Sequence, residues 1–183
     1  MSLISAELDA RLRAAVRDVP DFPKPGIVFK DITPFLQDAS LLGAALDALA
    51  AAAAPLRPTH IAAIESRGFL FAGGLCERLN IGLIPLRKPG KLPWQTFHES
   101  YSLEYGVDKL EVHADAAGPA DRVFLIDDLL ATGGTAAAAV NLVRRTGAEL
   151  VGAGFLIELA FLNGREALHG FPVHALLGYG SES

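Results

Sequence analysis

An acidic pair followed by a glycine-rich loop is the part of this sequence best suited to chemistry. Asp127 and Asp128 come directly after the apolar run at residues 122–126, and a loop leads from them into a helical pattern. The loop residues are Ala131, Thr132, Gly133, Gly134 and Thr135. Two glycines let successive backbone N–H groups converge, and a helix N-terminus adds partial positive charge. Such a loop suits a phosphate monoester, and the adjacent carboxylates suit the vicinal hydroxyls of a sugar that carries it.

The same residues also fit a plain surface turn, with two solvated aspartates and a capped helix. Two acidic side chains that follow an apolar strand, with no opposite charge between them, repel each other unless a ligand or cation compensates their charge. We therefore favour a phosphosugar site, and the surface turn stays open as the alternative.

Two further polar segments could bind a polyanion. Residues 65–68 again follow an apolar run and precede a helical pattern, and Arg87, Lys88 and Lys91 form a cationic cluster in an acidic chain. Taken alone, the first segment fits an ordinary capped turn and the second a solvated basic surface. Two helix N-termini that converge on one crevice, with basic side chains nearby, would instead suit a diphosphate.

The elements that must position these residues alternate between apolar runs and helical patterns. Strands are predicted at residues 60–64, 81–86, 122–126 and 150–159, and helices at residues 5–19, 38–54, 69–79 and 135–145. Strands that are apolar on both faces and alternate with helices indicate an α/β fold with a parallel sheet covered by helices. The polar excursion at residues 88–121, with a hairpin pattern in its middle, is interpreted as a functional flap.

Composition narrows the class of protein. The chain has 183 residues, 51% of them hydrophobic, a formal net charge of −5 and one cysteine, Cys76. This predicts a single domain over residues 1–183, with no nucleic-acid partner and no internal disulfide. The N-terminus lacks a signal-peptide pattern, and the low-charge stretch at residues 41–56 is shorter than a bilayer span. We expect a cytoplasmic protein with no membrane partner.

Five motifs in one order resemble the type I phosphoribosyltransferase family, and among its members the adenine-specific ones. They are DFPKPGIVFKDITPFL near the start, ESRGFLFAGGL at 65–75, LRKPGKLP at 86–93, YSLEYG at 101–106 and VFLIDDLLATGGTAAAA from 123. The resemblance implies a mainly parallel five-stranded sheet flanked by helices, with a flexible flap. It also implies a small hood, built from about residues 20–36 and parts of the C-terminal region.

The activity that the resemblance implies is transfer of 5-phosphoribose from phosphoribosyl pyrophosphate (PRPP) to adenine, giving AMP and pyrophosphate in purine salvage. Mg²⁺ is the expected cofactor, held mainly by PRPP or pyrophosphate oxygens rather than by metal-ligating residues of the chain. A homodimer is the expected assembly.

Individual roles follow from the same resemblance. The loop of residues 131–135 would hold the 5′-phosphate, and Asp127 with Asp128 the ribose hydroxyls. Pyrophosphate would be bound by Ser66, Arg67, Arg87, Lys88 and Lys91, and adenine by Val28, Phe29 and Arg67. Glu104 is the candidate catalytic acid/base at adenine N7, and Tyr105 would help the flap to close.

Two alternatives to this function remain at this point. One is the same fold acting on another base, such as hypoxanthine, guanine, xanthine or orotate. The other is a regulator that keeps the fold but only senses PRPP, although only about 20 residues precede the proline-rich segment, which leaves no room for a DNA-binding domain.

Overall fold

The computed structural model of the chain describes residues 3–103 and 106–180. The α-helices are α1 (Ala6–Ala15), α2 (Thr33–Gln37), α3 (Ala39–Ala53), α4 (Phe69–Leu79) and α5 (Gly134–Arg145). The strands are β1 (Arg17–Pro20), β2 (Val28–Asp31), β3 (His60–Ile64), β4 (Gly82–Leu86), β5 (Thr96–Leu103), β6 (Gly106–His113), β7 (Arg122–Leu130), β8 (Glu149–Leu159) and β9 (Val173–Tyr179). Short 3₁₀ turns lie at Ala54–Leu56, Ala160–Leu162 and Gly164–Ala167.

A five-stranded parallel sheet in the order β4-β3-β7-β8-β9 forms the centre of the fold. Alternate residues of its strands enter two separate cores. Ala62 and Ile64 pack on the side of α5 and the β5–β6 hairpin, whereas Ile61 and Ala63 pack on the side of α1 to α4. Because both faces are covered, the central strands are apolar throughout, and the predicted parallel α/β fold is confirmed.

The predicted hairpin in the 88–121 excursion is present as β5 and β6, which pair antiparallel from Thr96 opposite His113 to Leu103 opposite Gly106. The part of the hairpin nearer to the Thr96–His113 pair belongs to the core, since Leu110 and Val112 are fully buried on the α5 side of the sheet. The hairpin is thus anchored on the core, and the flap bounds of 88–121 stay a prediction.

A second antiparallel pair, β1 with β2, forms beside the main sheet and corrects the predicted first helix. Helical spacing predicts a helix over residues 5–19, but α1 ends at Ala15 and residues 17–20 form β1. Backbone pairing of Val19 opposite Phe29 replaces helical hydrogen bonds there. The helix start is as predicted, because the Ser5 side chain accepts a hydrogen bond from the N–H of Leu8.

One helical stretch in the described part of the chain, Ala39–Leu56, is long and apolar enough to cross a membrane by length and composition. In this fold it is a core element. Leu41, Ala45, Leu46, Leu49 and Ala53 are buried in the cluster that also contains the side chains of β3 and α4.

Candidate active site

A cavity of about 600 Å³ lies at the carboxyl end of the sheet, where α/β folds bind their ligands. Strand β2, the turn after β3, the end of β7, the loop into α5 and the end of β8 all contribute to it. The lining residues are Pro23, Lys24, Ile27, Val28, Phe29, Lys30, Arg67, Asp127, Asp128, Leu129, Leu130, Ala131, Thr132, Gly133, Gly134, Thr135, Ala136, Leu159 and Leu162.

The loop between β7 and α5 has the geometry of an anion site. Gly133 has a φ of +85° and stands immediately before the helix. The N–H of Ala137 donates to the carbonyl of Gly133 at 2.8 Å, so the N–H groups of residues 134–136 have no acceptor within the helix. These N–H groups and the positive end of α5 lie on the cavity lining, as the sequence predicts for a phosphate.

Asp127 and Asp128 lie together at the end of β7. The N–H of Asp128 donates to Oδ1 of Asp127 at 2.9 Å, and Nε of Arg67 is 3.1 Å from Oδ2 of Asp128. Burial raises the pKa of Asp127 well above its usual range, and the charge of Asp128 raises it further. Burial also raises the pKa of Asp128, although the Arg67 guanidinium opposes that shift. The negative charge of the pair is therefore poorly compensated in the free protein, and the two carboxylates are suited to accept hydrogen bonds from ligand hydroxyls.

Another part of the cavity lining presents an aromatic ring and a cation. Val28 and Phe29 lie on β2, and the Arg67 guanidinium is 5.2 Å from the centroid of the Phe29 ring. Phe22 packs edge-on against Phe29 at a centroid distance of 5.2 Å. A strand backbone, a fixed ring and a guanidinium together suit a planar heterocycle.

The predicted basic cluster is held by Glu65. Its carboxylate accepts hydrogen bonds from Arg87 at 3.3 and 3.4 Å, from Nζ of Lys91 at 2.7 Å and from the N–H of Lys88 at 2.8 Å. Burial alone would raise the pKa of Glu65, but the hydrogen bonds from Lys91, Lys88 and Arg87 outweigh it and lower the pKa to about 2. Glu65 therefore joins the end of β3 to the chain that follows β4.

The side chain of Lys88 is bound separately, to Asp108 and Tyr101 on the hairpin. Desolvation would lower the pKa of Lys88, but its hydrogen bonds to Asp108 and Tyr101 outweigh that effect and raise the pKa. The three predicted basic residues thus all have acidic partners in this structure.

The structure brings most of the predicted site residues into one cavity and leaves others outside it. Val28, Phe29, Arg67, the acidic pair and residues 131–135 all line it. Within the described part of the chain, the remaining predicted phosphate ligands lie outside that lining: Ser66, Arg87, Lys88 and Lys91. Glu104 and Tyr105 lie outside the described residues.

Nine lining residues are not among the predicted site residues: Pro23, Lys24, Ile27, Lys30, Leu129, Leu130, Ala136, Leu159 and Leu162. Leu159 ends β8, and Leu162 lies in the 3₁₀ turn that follows, so their position after a buried strand was the available signal. Lys30 is buried, with Nζ 2.7 Å from a carboxylate oxygen of Asp18 and 4.4 Å from the ring centroid of Tyr179.

The acidic pair is the part of the cavity that could contribute ligands to a divalent ion. Among the described residues there is no group of three or more His, Cys, Asp or Glu side chains that could hold a metal. Mg²⁺ is commonly bound through one or two carboxylates together with phosphates and water, and Asp127 and Asp128 fit that donor set.

A parallel sheet with an acidic strand end and a glycine-rich loop before a helix fits the phosphoribosyltransferase class, and comparison with known proteins shows that class. A sequence profile described as "Phosphoribosyl transferase domain" matches residues 38–166. The chain is 54% identical over 168 residues to adenine phosphoribosyltransferase of Anaeromyxobacter dehalogenans, covering 92% of this chain and 98% of that relative. It is 51% identical over 172 residues to the protein of the same name from a Roseiflexus species, covering 94% of this chain and all of that relative.

Solved structures agree with the sequence comparison. Adenine phosphoribosyltransferase of Rhodothermus marinus superimposes with a TM-score of 0.90 at 50% identity, covering 96% of this chain and 100% of that one. The Saccharomyces cerevisiae enzyme, solved with adenine and an imino-altritol bisphosphate, has a TM-score of 0.88 at 38% identity. The match covers 94% of this chain and 100% of that one. This chain belongs to the adenine phosphoribosyltransferase family, which confirms the predicted family and fold.

Proposed function

We propose that this protein transfers the 5-phosphoribosyl group of PRPP to adenine, giving AMP and pyrophosphate. The observation that carries the proposal is that one cavity is lined by the glycine-rich loop, the acidic pair, Phe29 and Arg67, with Arg67 beside both Asp128 and the Phe29 ring. The loop suits a 5′-phosphate, the acidic pair a ribose, and the Phe29 ring a planar base. The similarity to enzymes of this name over more than nine-tenths of the chain supports the same activity.

In this arrangement the loop at residues 131–135 binds the 5′-phosphate through backbone N–H groups, and Asp127 and Asp128 accept hydrogen bonds from the ribose hydroxyls. The bond from the ribose anomeric carbon to the pyrophosphate oxygen breaks, a bond from that carbon to the N9 lone pair of adenine forms on the opposite face, and the base loses the proton that it carries on N7. Positive charge develops on the ribose in the transition state, close to the acidic pair. Holding both reactants in line supplies much of the rate acceleration.

The departing pyrophosphate needs positive charge beside it. We assign that role to Arg67 and the backbone around Ser66, with Arg87, Lys88 and Lys91 joining when the substrate competes for the cations that Glu65 and Asp108 now hold. Mg²⁺ would neutralise part of the diphosphate charge, held by substrate oxygens and the acidic pair. Removal of Mg²⁺ with EDTA should therefore abolish turnover.

Adenine would lie against Phe29 and hydrogen-bond to the backbone at Val28, with Arg67 at its edge. Proton transfer at N7 is assigned to Glu104, and closure over the reacting atoms to Tyr105. Closing the site keeps water away from the cationic ribose, which would otherwise be hydrolysed.

A homodimer is the proposed assembly. β4 is an edge strand of the main sheet, and three large apolar side chains are exposed by about half or more: Leu83 on β4, Leu70 on α4, and Trp94 in the segment between β4 and β5. Light scattering should report a dimer, and Leu83→Glu should shift it to monomer; a wild-type monomer would refute the assembly. A cytoplasmic location fits the single cysteine, Cys76, and is tested by cell fractionation.

The activity is tested by incubating the protein with PRPP, Mg²⁺ and a panel of adenine, guanine, hypoxanthine, xanthine and orotate, with nucleotide products separated by chromatography. AMP as the main product is the expected result. A different nucleotide would overturn the adenine assignment, and PRPP binding without any product would favour a sensing protein.

A further inference from the structure

We propose that the 3₁₀ turn Gly164–Ala167, hereafter the Gly164 turn, is a positioning element that fixes the phosphate loop and thereby sets the affinity for PRPP. The inference rests on the proposed function, because it identifies what holds that function's phosphate site in shape. No residue of the turn lines the cavity within the described part of the chain, so the turn would act through the loop.

The turn and the loop meet backbone to backbone. A Cβ atom built on Gly164 would lie 2.1 Å from the carbonyl oxygen of Ala131 and 3.1 Å from the nitrogen of Gly133. A Cβ built on Gly133 would lie 2.4 Å from the carbonyl oxygen of Gly164 and 2.9 Å from Cβ of Ala167. Distances under 3.0 Å cannot be accommodated without movement of the backbone, so each glycine is required by the other segment.

Position 164 requires glycine only because there is no space for a side chain. Gly133 has a positive φ, which favours glycine for conformational reasons as well, whereas Gly164 is not among the positive-φ glycines. Alanine at position 164 is therefore compatible with the local backbone and would act only by displacing residues 131–133. This makes Gly164 the cleaner place to test the contact.

An ion pair holds the turn against the sheet. Nε and Nη2 of Arg165 donate to the two carboxylate oxygens of Glu158, each at 2.6 Å, and Nη1 donates to the carbonyl of Val173 at 2.6 Å. The Glu158 side chain is only 11% exposed. This two-point contact joins the turn to β8 and to the start of β9, so the turn is fixed to the sheet rather than to the loop that it supports.

The test compares Gly164→Ala with Gly118→Ala, a matched control at which an added Cβ meets nothing within 4 Å. KM is measured separately for PRPP and adenine, and binding of ribose 5-phosphate is measured by calorimetry. Gly164→Ala should raise KM for PRPP and weaken ribose 5-phosphate by about tenfold or more, because displacements near 1 Å can cost up to about a hundredfold. KM for adenine should change less than KM for PRPP, and the control should behave as wild type.

A second pair of variants keeps the test valid if Gly164→Ala does not fold. Arg165→Lys retains the charge but loses the planar guanidinium that contacts both oxygens of Glu158, and Arg165→Met removes both. Ribose 5-phosphate binding should therefore be weaker in Arg165→Lys than in wild type, and weakest in Arg165→Met. Unchanged phosphate affinity in all three variants, or equal rises in both KM values, would overturn the positioning role. Wild-type protein that binds ribose 5-phosphate but forms no AMP from PRPP and adenine would overturn the proposed function alone, and wild type that does not bind ribose 5-phosphate would overturn both.

Discussion

Replacement of Asp127 by asparagine should make the folded protein more stable while it removes most of the activity. Asparagine keeps the shape of the side chain and an oxygen that can accept the hydrogen bond from the N–H of Asp128. It removes a carboxylate whose pKa is raised by burial and then by the charge of Asp128. In the free protein the charged carboxylate lowers the free energy of unfolding. In the substrate complex it accepts hydrogen bonds from the ribose hydroxyls.

The stability effect has a defined pH dependence. A carboxyl group whose pKa is raised by folding binds its proton more tightly in the folded chain, so its presence costs nothing below the unfolded pKa of about 4. The cost grows as pH rises from there towards the raised folded pKa of Asp127. The variant should therefore match wild type near pH 4 and exceed it at neutral pH by about 1–3 kcal/mol, the usual cost of a buried polar group without a full set of partners. For a domain of this size that raises Tm by roughly 2–12 °C.

Activity should change in the opposite direction. A hydrogen bond to a charged group contributes about 1.5–3 kcal/mol, so its loss lowers kcat/KM by roughly 10- to 150-fold. Thermal unfolding and denaturant titrations between pH 4 and 8, together with kinetics, measure both effects. Asp115→Asn, at an exposed carboxylate, is the matched control and should change neither. A stability gain that does not depend on pH, or a fully active variant, would refute this account of the acidic pair.

Three further substitutions test other parts of the site. Glu104→Gln should lower kcat with KM for PRPP nearly unchanged, since it removes only proton transfer; a large loss of PRPP binding would contradict this role. Arg67→Lys loses the planar contacts to Phe29 and Asp128, so KM for adenine should rise by about tenfold, and unchanged kinetics would count against the contact. Glu65→Gln should destabilise the protein most above pH 4.5, with the difference from wild type, seen in denaturant titrations, fading towards pH 2 as the Glu65 carboxylate protonates; a constant difference would disprove the ion pairs.

Sequence reasoning succeeded where local pattern and tertiary environment agree. The strand at His60–Ile64 has its predicted bounds because it is apolar, short and buried on both faces. The helix at Ala39–Ala53 begins where Asp38 can accept hydrogen bonds from the N–H groups of Ser40 and Leu41. The loop at residues 131–135 was recognised because glycines, threonines and a strand end occur together within a few positions.

The wrong or missing predictions concern features that depend on contacts between residues far apart in the sequence. β1 was predicted as helix because only its pairing with β2 makes residues 17–20 extended. β9 gave no clear apolar run, since its burial depends on being the outer strand beside β8. The partners of the basic residues also lie far along the chain, as with Glu65 and Lys91, so the sequence showed a cationic cluster where the structure has ion pairs.

The most direct test of the site as a whole is a crystal structure of this protein with AMP bound. The phosphate should lie on the backbone N–H groups of residues 131–135, the ribose hydroxyls within hydrogen-bond distance of Asp127 and Asp128, and the adenine ring against Phe29. AMP in the reversed orientation, or bound outside this cavity, would contradict the account.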